Sequence, residues 1–66
     1  MKQTRFKMAL IYEGHAPIEA TVIIKEEREQ ATADAMMMAR GWLMASSAQY
    51  VNLKDAQGNQ LVTYKR

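Results

Sequence analysis

Between Thr4 and Lys25 the chain alternates apolar and polar residues, and after Glu26 the alternation stops. Within Thr4–Glu13, Phe6, Met8, Leu10 and Tyr12 fall on one side, with Arg5, Lys7, Ala9, Ile11 and Glu13 on the other. Within Ile18–Lys25, Ile18, Ala20, Val22 and Ile24 oppose Glu19, Thr21, Ile23 and Lys25. A period of two is that of a half-buried strand, because successive Cβ atoms point to opposite faces of the sheet. The β-branched run Thr21-Val22-Ile23-Ile24 favours the same conformation. The connection Glu13–Pro17, which contains Gly14 and Pro17, predicts a hairpin. Pairing Tyr12 with Ile18 places Leu10 opposite Ala20, Met8 opposite Val22 and Phe6 opposite Ile24, so the two apolar sets share a face. In that register Arg5 lies opposite Lys25.

From Glu26 to about Ser47 the chain is rich in Ala, Met, Leu, Arg, Glu and Gln, all strong helix formers. Glu26, Glu27 and Glu29 stand in the first turns of the predicted helix, where they complement the positive end of its dipole. On a helical wheel Ala31, Ala35, Met38, Ala39, Trp42, Ala45 and Ser46 form one stripe, with Met36 and Leu43 along an edge. This predicts a core face made mostly of alanine, with Trp42 and Leu43 as its large plugs. Gly41 inside the helix costs about 1 kcal/mol relative to alanine and marks close packing or a bend.

Gln49–Lys54 and Gln60–Lys65 form a second predicted hairpin around "DAQGN". A type I turn with Gly58 in the left-handed conformation pairs Leu53 with Leu61. A four-residue loop instead puts Val51, Leu53, Val62 and Tyr64 on one face, and both arrangements stay open. The element order is therefore ββαββ. It predicts one small α+β domain over residues 1–66, with one amphipathic helix packed on one face of a four-stranded antiparallel sheet.

A chain of 66 residues buries a small core, and such chains lean on disulfides, metals or oligomerisation. There is no cysteine and a single histidine, so neither a disulfide nor a thiolate metal site is available, and no metal or cofactor is expected. Oligomerisation remains. No apolar run approaches the ~20 residues of a membrane span. The residues after Met1 do not form the apolar stretch of a signal peptide, so a cytoplasmic protein without membrane contact is expected. His15 in "EGHAP" reads as a solvated turn residue, and no nucleophile elbow, phosphate loop or HExxH is present. Glu26 and Glu27 diverge by about 100° on a helix and cannot share a substrate. The expectation is a protein that is not an enzyme.

The run Met36-Met37-Met38 cannot face one core from a helix. Ala33, Met37 and Met44 fall on the side away from the predicted core, with Met37 and Met44 in line. Methionine is unbranched and polarizable, which suits an adaptable contact surface. The sheet face away from the helix carries Ile11 and Ile23 around Ala9, among charges. These features point to a small protein-interaction module, an accessory regulator or inhibitor. It would bind another protein, or itself as a homodimer, through Ala33, Met37 and Met44 or through Ile11 and Ile23. The alternative is nucleic-acid binding through Arg5, Lys7, Lys25, Lys65 and Arg66, which gather into one patch if the last strand lies beside the first.

Overall fold

The elements follow in the order β1 (Thr4–Ile11), β2 (Ile18–Ile24), α1 (Arg28–Ala45), β3 (Tyr50–Asp55) and β4 (Gln60–Lys65), in a computed structural model that describes residues 2–66. All neighbouring strands are antiparallel, and their order across the sheet is β2-β1-β3-β4. This is the expected ββαββ arrangement. The helix carries the chain back so that β3 docks beside β1, which leaves β2 and β4 as the two edges.

The core lies between α1 and one face of the sheet. Phe6, Met8 and Leu10 of β1, Val22 of β2, and Val51 and Leu53 of β3 meet Ala31, Ala35, Ala39 and Leu43 of α1. Tyr12, Ile24, Met36, Val62 and Tyr64 pack around this centre. Each strand contributes alternate residues, as the period of two requires.

The first hairpin is shifted from the expected register by two residues. Leu10 pairs with Ile18, Met8 with Ala20 and Phe6 with Val22. A slip of two keeps every side chain on its own face, so the apolar sets still meet. The shift comes from the turn. The His15 N–H donates to the Tyr12 carbonyl at 3.4 Å, and Gly14 takes φ 76°. Tyr12 therefore belongs to the turn rather than to the ladder, and Ile11 pairs with Tyr50 of β3.

The helix starts later and ends earlier than the composition predicts. The Glu26 N–H donates to the Ile24 carbonyl at 2.9 Å, which bends the chain away from β2. Glu27 is the N-cap, without a side-chain cap bond, and only Glu29 of the three glutamates stands in the first turn. At the other end Ser46 is extended, and its Oγ accepts from the Ala48 N–H at 3.3 Å.

The buried stripe of α1 is also rotated from the expected one. Ala31, Ala35, Ala39 and Leu43 are buried at strict spacings of four. Met38 and Trp42 lie at its flank, and Ala45 is exposed. Three alanines let the helix axis approach the sheet closely, so the large side chains that fill the gap come from the strands. Trp42 is therefore left at the flank of the buried stripe rather than at its centre.

The second hairpin combines the two arrangements left open by its sequence. Asp55 N–H donates to the Asn59 carbonyl at 2.9 Å and Gly58 N–H to the Asp55 carbonyl at 3.1 Å, with Gly58 at φ 88°. That closes the tight loop. A bulge follows, and beyond it Leu53 pairs with Val62 and Val51 with Tyr64. The bulge absorbs Leu61 and turns Val51, Leu53, Val62 and Tyr64 onto the core face.

Candidate interaction surfaces

The outer face of α1 is polar in its first half and apolar in its second. Glu29, Gln30 and Asp34 give way to Met37, Gly41, Met44 and Ala45, interrupted by Arg40. Met37 and Met44 are 73% and 74% exposed, while Met38 and Trp42 at the flank are 38% and 39% exposed. Met37 and Met44 stand one above the other, about 10 Å apart along the axis at ~1.5 Å per residue. Ala33, also exposed, continues their line one turn earlier. Gly41 sits beside them, and a Cβ built on it would meet nothing within 4 Å. Neither backbone conformation nor packing within the chain accounts for a glycine there. Sequence reasoning found Met37 and Met44, but it assigned Met38 and Trp42 to the core. The signal that separates them is the repeat of Ala31, Ala35, Ala39 and Leu43, which places the centre of the buried stripe about 40° from the expected centre.

Ile11 and Ile23 do not form one patch. Ile23 lies opposite Arg5, whereas Ile11 lies opposite Tyr50. Arg5 and Ile11 are six positions apart on β1, about 20 Å at ~3.3 Å per residue. Ile11 is half-buried and Ile23 is exposed.

The basic residues are dispersed too. Arg5 faces Ile23, not Lys25, because of the register shift. Lys65 pairs with Tyr50 on the far edge, since β3 separates β4 from β1. The Arg66 guanidinium is committed to the protein's own backbone. Its Nε donates to the Ala48 carbonyl at 2.6 Å, and one terminal nitrogen donates to the carbonyls of Leu43, at 2.6 Å, and Ser46. It closes the C-terminal end of α1, where free carbonyls and the negative end of the dipole attract a cation. The residue missed by sequence reasoning is Lys54. It pairs with Lys7, so Lys7 and Lys54 stand side by side on the sheet face away from the helix, with Arg5 two positions along.

The Lys2–Glu27 pair at 2.8 Å is exposed at both ends and contributes little. Asp55 is 6% exposed and organises the hairpin tip, with Arg28 at 3.6 Å. His15 is exposed in the β1–β2 loop. No group of three His, Asp or Glu residues stands together among the described residues, and no helix is long and apolar enough to cross a membrane. Comparison with protein-family models, with curated proteins and with solved structures found no match to this chain.

Proposed function

We propose that this protein is a small non-catalytic interaction module, an accessory regulator or inhibitor. It acts by binding another protein through the outer face of α1, at Ala33, Met37, Gly41 and Met44. The observation that carries the reading is the pair of methionines, 73% and 74% exposed, beside a glycine with open space above it. Contiguous exposed apolar surface is the usual mark of a contact site. A helix-interior glycine that nothing in its own chain requires fits close approach by a partner's backbone.

A photo-crosslinking amino acid placed in cells at position 37 or 44 is expected to give a discrete adduct. The same group at Gln57, on the distant hairpin tip, should give none. Adducts from neither helix position, or equal smears from all three, would sink the reading. Gly41→Ala is expected to stabilise the isolated chain by about 0.5–1 kcal/mol and to weaken the adduct from position 37.

The runner-up is nucleic-acid binding on the other face of the sheet. It is supported by the adjacency of Lys7 and Lys54, with Arg5 close by. Lys25 and Lys65 stand apart from that cluster, and Arg66 is occupied. Three phosphate contacts predict a log–log salt slope of roughly −3. Fluorescence anisotropy that detects no binding to single- or double-stranded DNA or RNA at low salt would remove this reading.

A further inference from the structure

The two edges of the sheet differ in a way that points to an occupant for one of them. β4 is blunted. A bulge interrupts its pairing, Lys65 ends it, and polar side chains on its face are tied together and back to β3. Gln60 Nε2 donates to Thr63 Oγ1 at 2.5 Å and Thr63 Oγ1 donates to Asn52 Oδ1 at 2.6 Å. Bulges and edge lysines are the usual means by which a sheet prevents further pairing. β2 has neither. Ile18-Glu19-Ala20-Thr21-Val22-Ile23-Ile24 pairs with β1 in unbroken register and has no strand on its other side. Ile18 is 56% and Ile23 49% exposed.

The flank of α1 above β2 is apolar as well. Arg40, Leu43 and Met44 line a groove together with Tyr64 and Lys65, so that flank looks toward β4. Met38 and Trp42 lie on the opposite flank of the buried stripe, the one toward β2. The open edge of β2, with Ile18 and Ile23 exposed along it, and the flank carrying Met38 and Trp42 thus lie on the same side of the molecule.

We propose that β2 pairs antiparallel with β2 of a second copy of this chain about a two-fold axis, so that one sheet runs through both protomers. A two-fold contact is isologous, which restricts the register. Keeping both helices on the same side of the joined sheet requires the axis to pass through a residue of β2. Charge then chooses among the registers. Centred on Thr21, Glu19 meets Ile23 of the second copy. Centred on Ile23, only Val22–Ile24 can pair, because β2 ends at Ile24. Centred on Val22, Thr21 meets Ile23 and Glu19 meets Lys25, which stands one residue past the strand. By symmetry that ion pair forms twice. Lys25 sits in the bend that closes β2, so this is a contact between long side chains at the end of the seam rather than a ladder pair, and opposite charges within reach of each other favour the register. The flanks carrying Met38 and Trp42 then face each other across the seam.

The test is a charge-swap cycle, read by sedimentation velocity over a range of concentrations of the full chain. Glu19→Lys alone and Lys25→Glu alone each set like charges opposite one another twice. Each is expected to weaken the dimer roughly ten-fold. The double swap, Glu19→Lys with Lys25→Glu, restores the wild-type dissociation constant. Thr21→Lys with Ile23→Lys sets lysines opposite one another and is expected to give a monomer with an unchanged circular dichroism spectrum, since both positions are exposed. A wild-type protein that stays monomeric at about 1 mM would overturn the proposal. So would a dimer indifferent to these variants but lost with Met37→Glu and Met44→Glu. The proposed seam uses neither Met37 nor Met44, so a monomeric wild type would leave the crosslinking result from position 37 or 44 to be read on its own.

Discussion

Phe6→Ala is expected to lower the stability of the protein by about 3–5 kcal/mol, read as a fall in the urea midpoint. Phe6 is 1% exposed and sits on a central strand, paired with Val22 on one side and Asp55 on the other. The alanines of α1 contribute little bulk, so strand side chains fill most of the interior, and removing the largest of them leaves a cavity. A chain of this length has on the order of 3–10 kcal/mol in total. At the lower end of that range the variant is half unfolded, or worse, at 25 °C. Met37→Ala, on the solvent face of α1, should change stability by no more than ~0.5 kcal/mol. A loss below about 1 kcal/mol for Phe6→Ala would show that the packing centre lies elsewhere.

The second large effect is expected at Asp55, the buried carboxylate of the hairpin tip. It accepts from the Gln57 N–H at 3.0 Å, the Asn59 N–H at 2.9 Å and the Asn59 side-chain amide at 3.2 Å. Asp55→Ala leaves those donors without their acceptor and removes the partner of Arg28. The midpoint of thermal unfolding should fall by on the order of 10 °C.

The same contacts make stability depend on pH. The Asn59 backbone N–H, against the opposing effect of burial, holds the Asp55 carboxyl below the usual carboxylate range, helped by the Asn59 side chain, the Gln57 N–H and Arg28. A folded pKa below the unfolded one gives stability that is present above the unfolded value and lost as pH falls through the folded value. Glu26 behaves in the opposite sense. Its carboxyl is pushed upward, first by its hydrogen bond with the Asp34 side chain, then by burial and by the Asp34 charge. Its Oε2 is buried without a donor among the described residues. A raised folded pKa means that ionised Glu26 weakens the fold, and that this penalty is relieved as pH falls through the raised value. Thermal melts of the wild type should therefore rise on mild acidification and then fall as Asp55 takes up its proton. Glu26→Gln should abolish the rise and Asp55→Asn should blunt the fall. A wild-type profile that declines steadily from neutral pH would contradict the role given to Glu26.

The strands were legible because alternation is a local signal. Phe6, Met8, Leu10 and Val22 were placed on the core side from spacing alone, and all are buried. Pairing was legible only to within two residues, because a two-residue slip changes no face. The turn chemistry of Tyr12, Gly14 and His15 decided it. The helix was harder to read. Its apolar residues surround nearly the whole wheel, so two overlapping stripes had similar claims. Close approach to the sheet favours the stripe with alanine at every fourth position and pushes Met38 and Trp42 to the flank. The candidate basic patch dissolved for a different reason. Strand order depends on how the second hairpin docks, and that docking put Lys54, rather than Lys65, beside Lys7.

By itself the sequence determined the ββαββ order, the core side of each strand of the first hairpin and the exposure of Met37 and Met44, because periodicity and composition act within single elements. The tertiary structure alone decided the strand order, the rotation of α1 about its axis, the bulge at Leu61 and the capture of Arg66 by the end of the helix. Each of those depends on where one element lies against another, and residues far apart in the chain choose among alternatives that are locally equivalent.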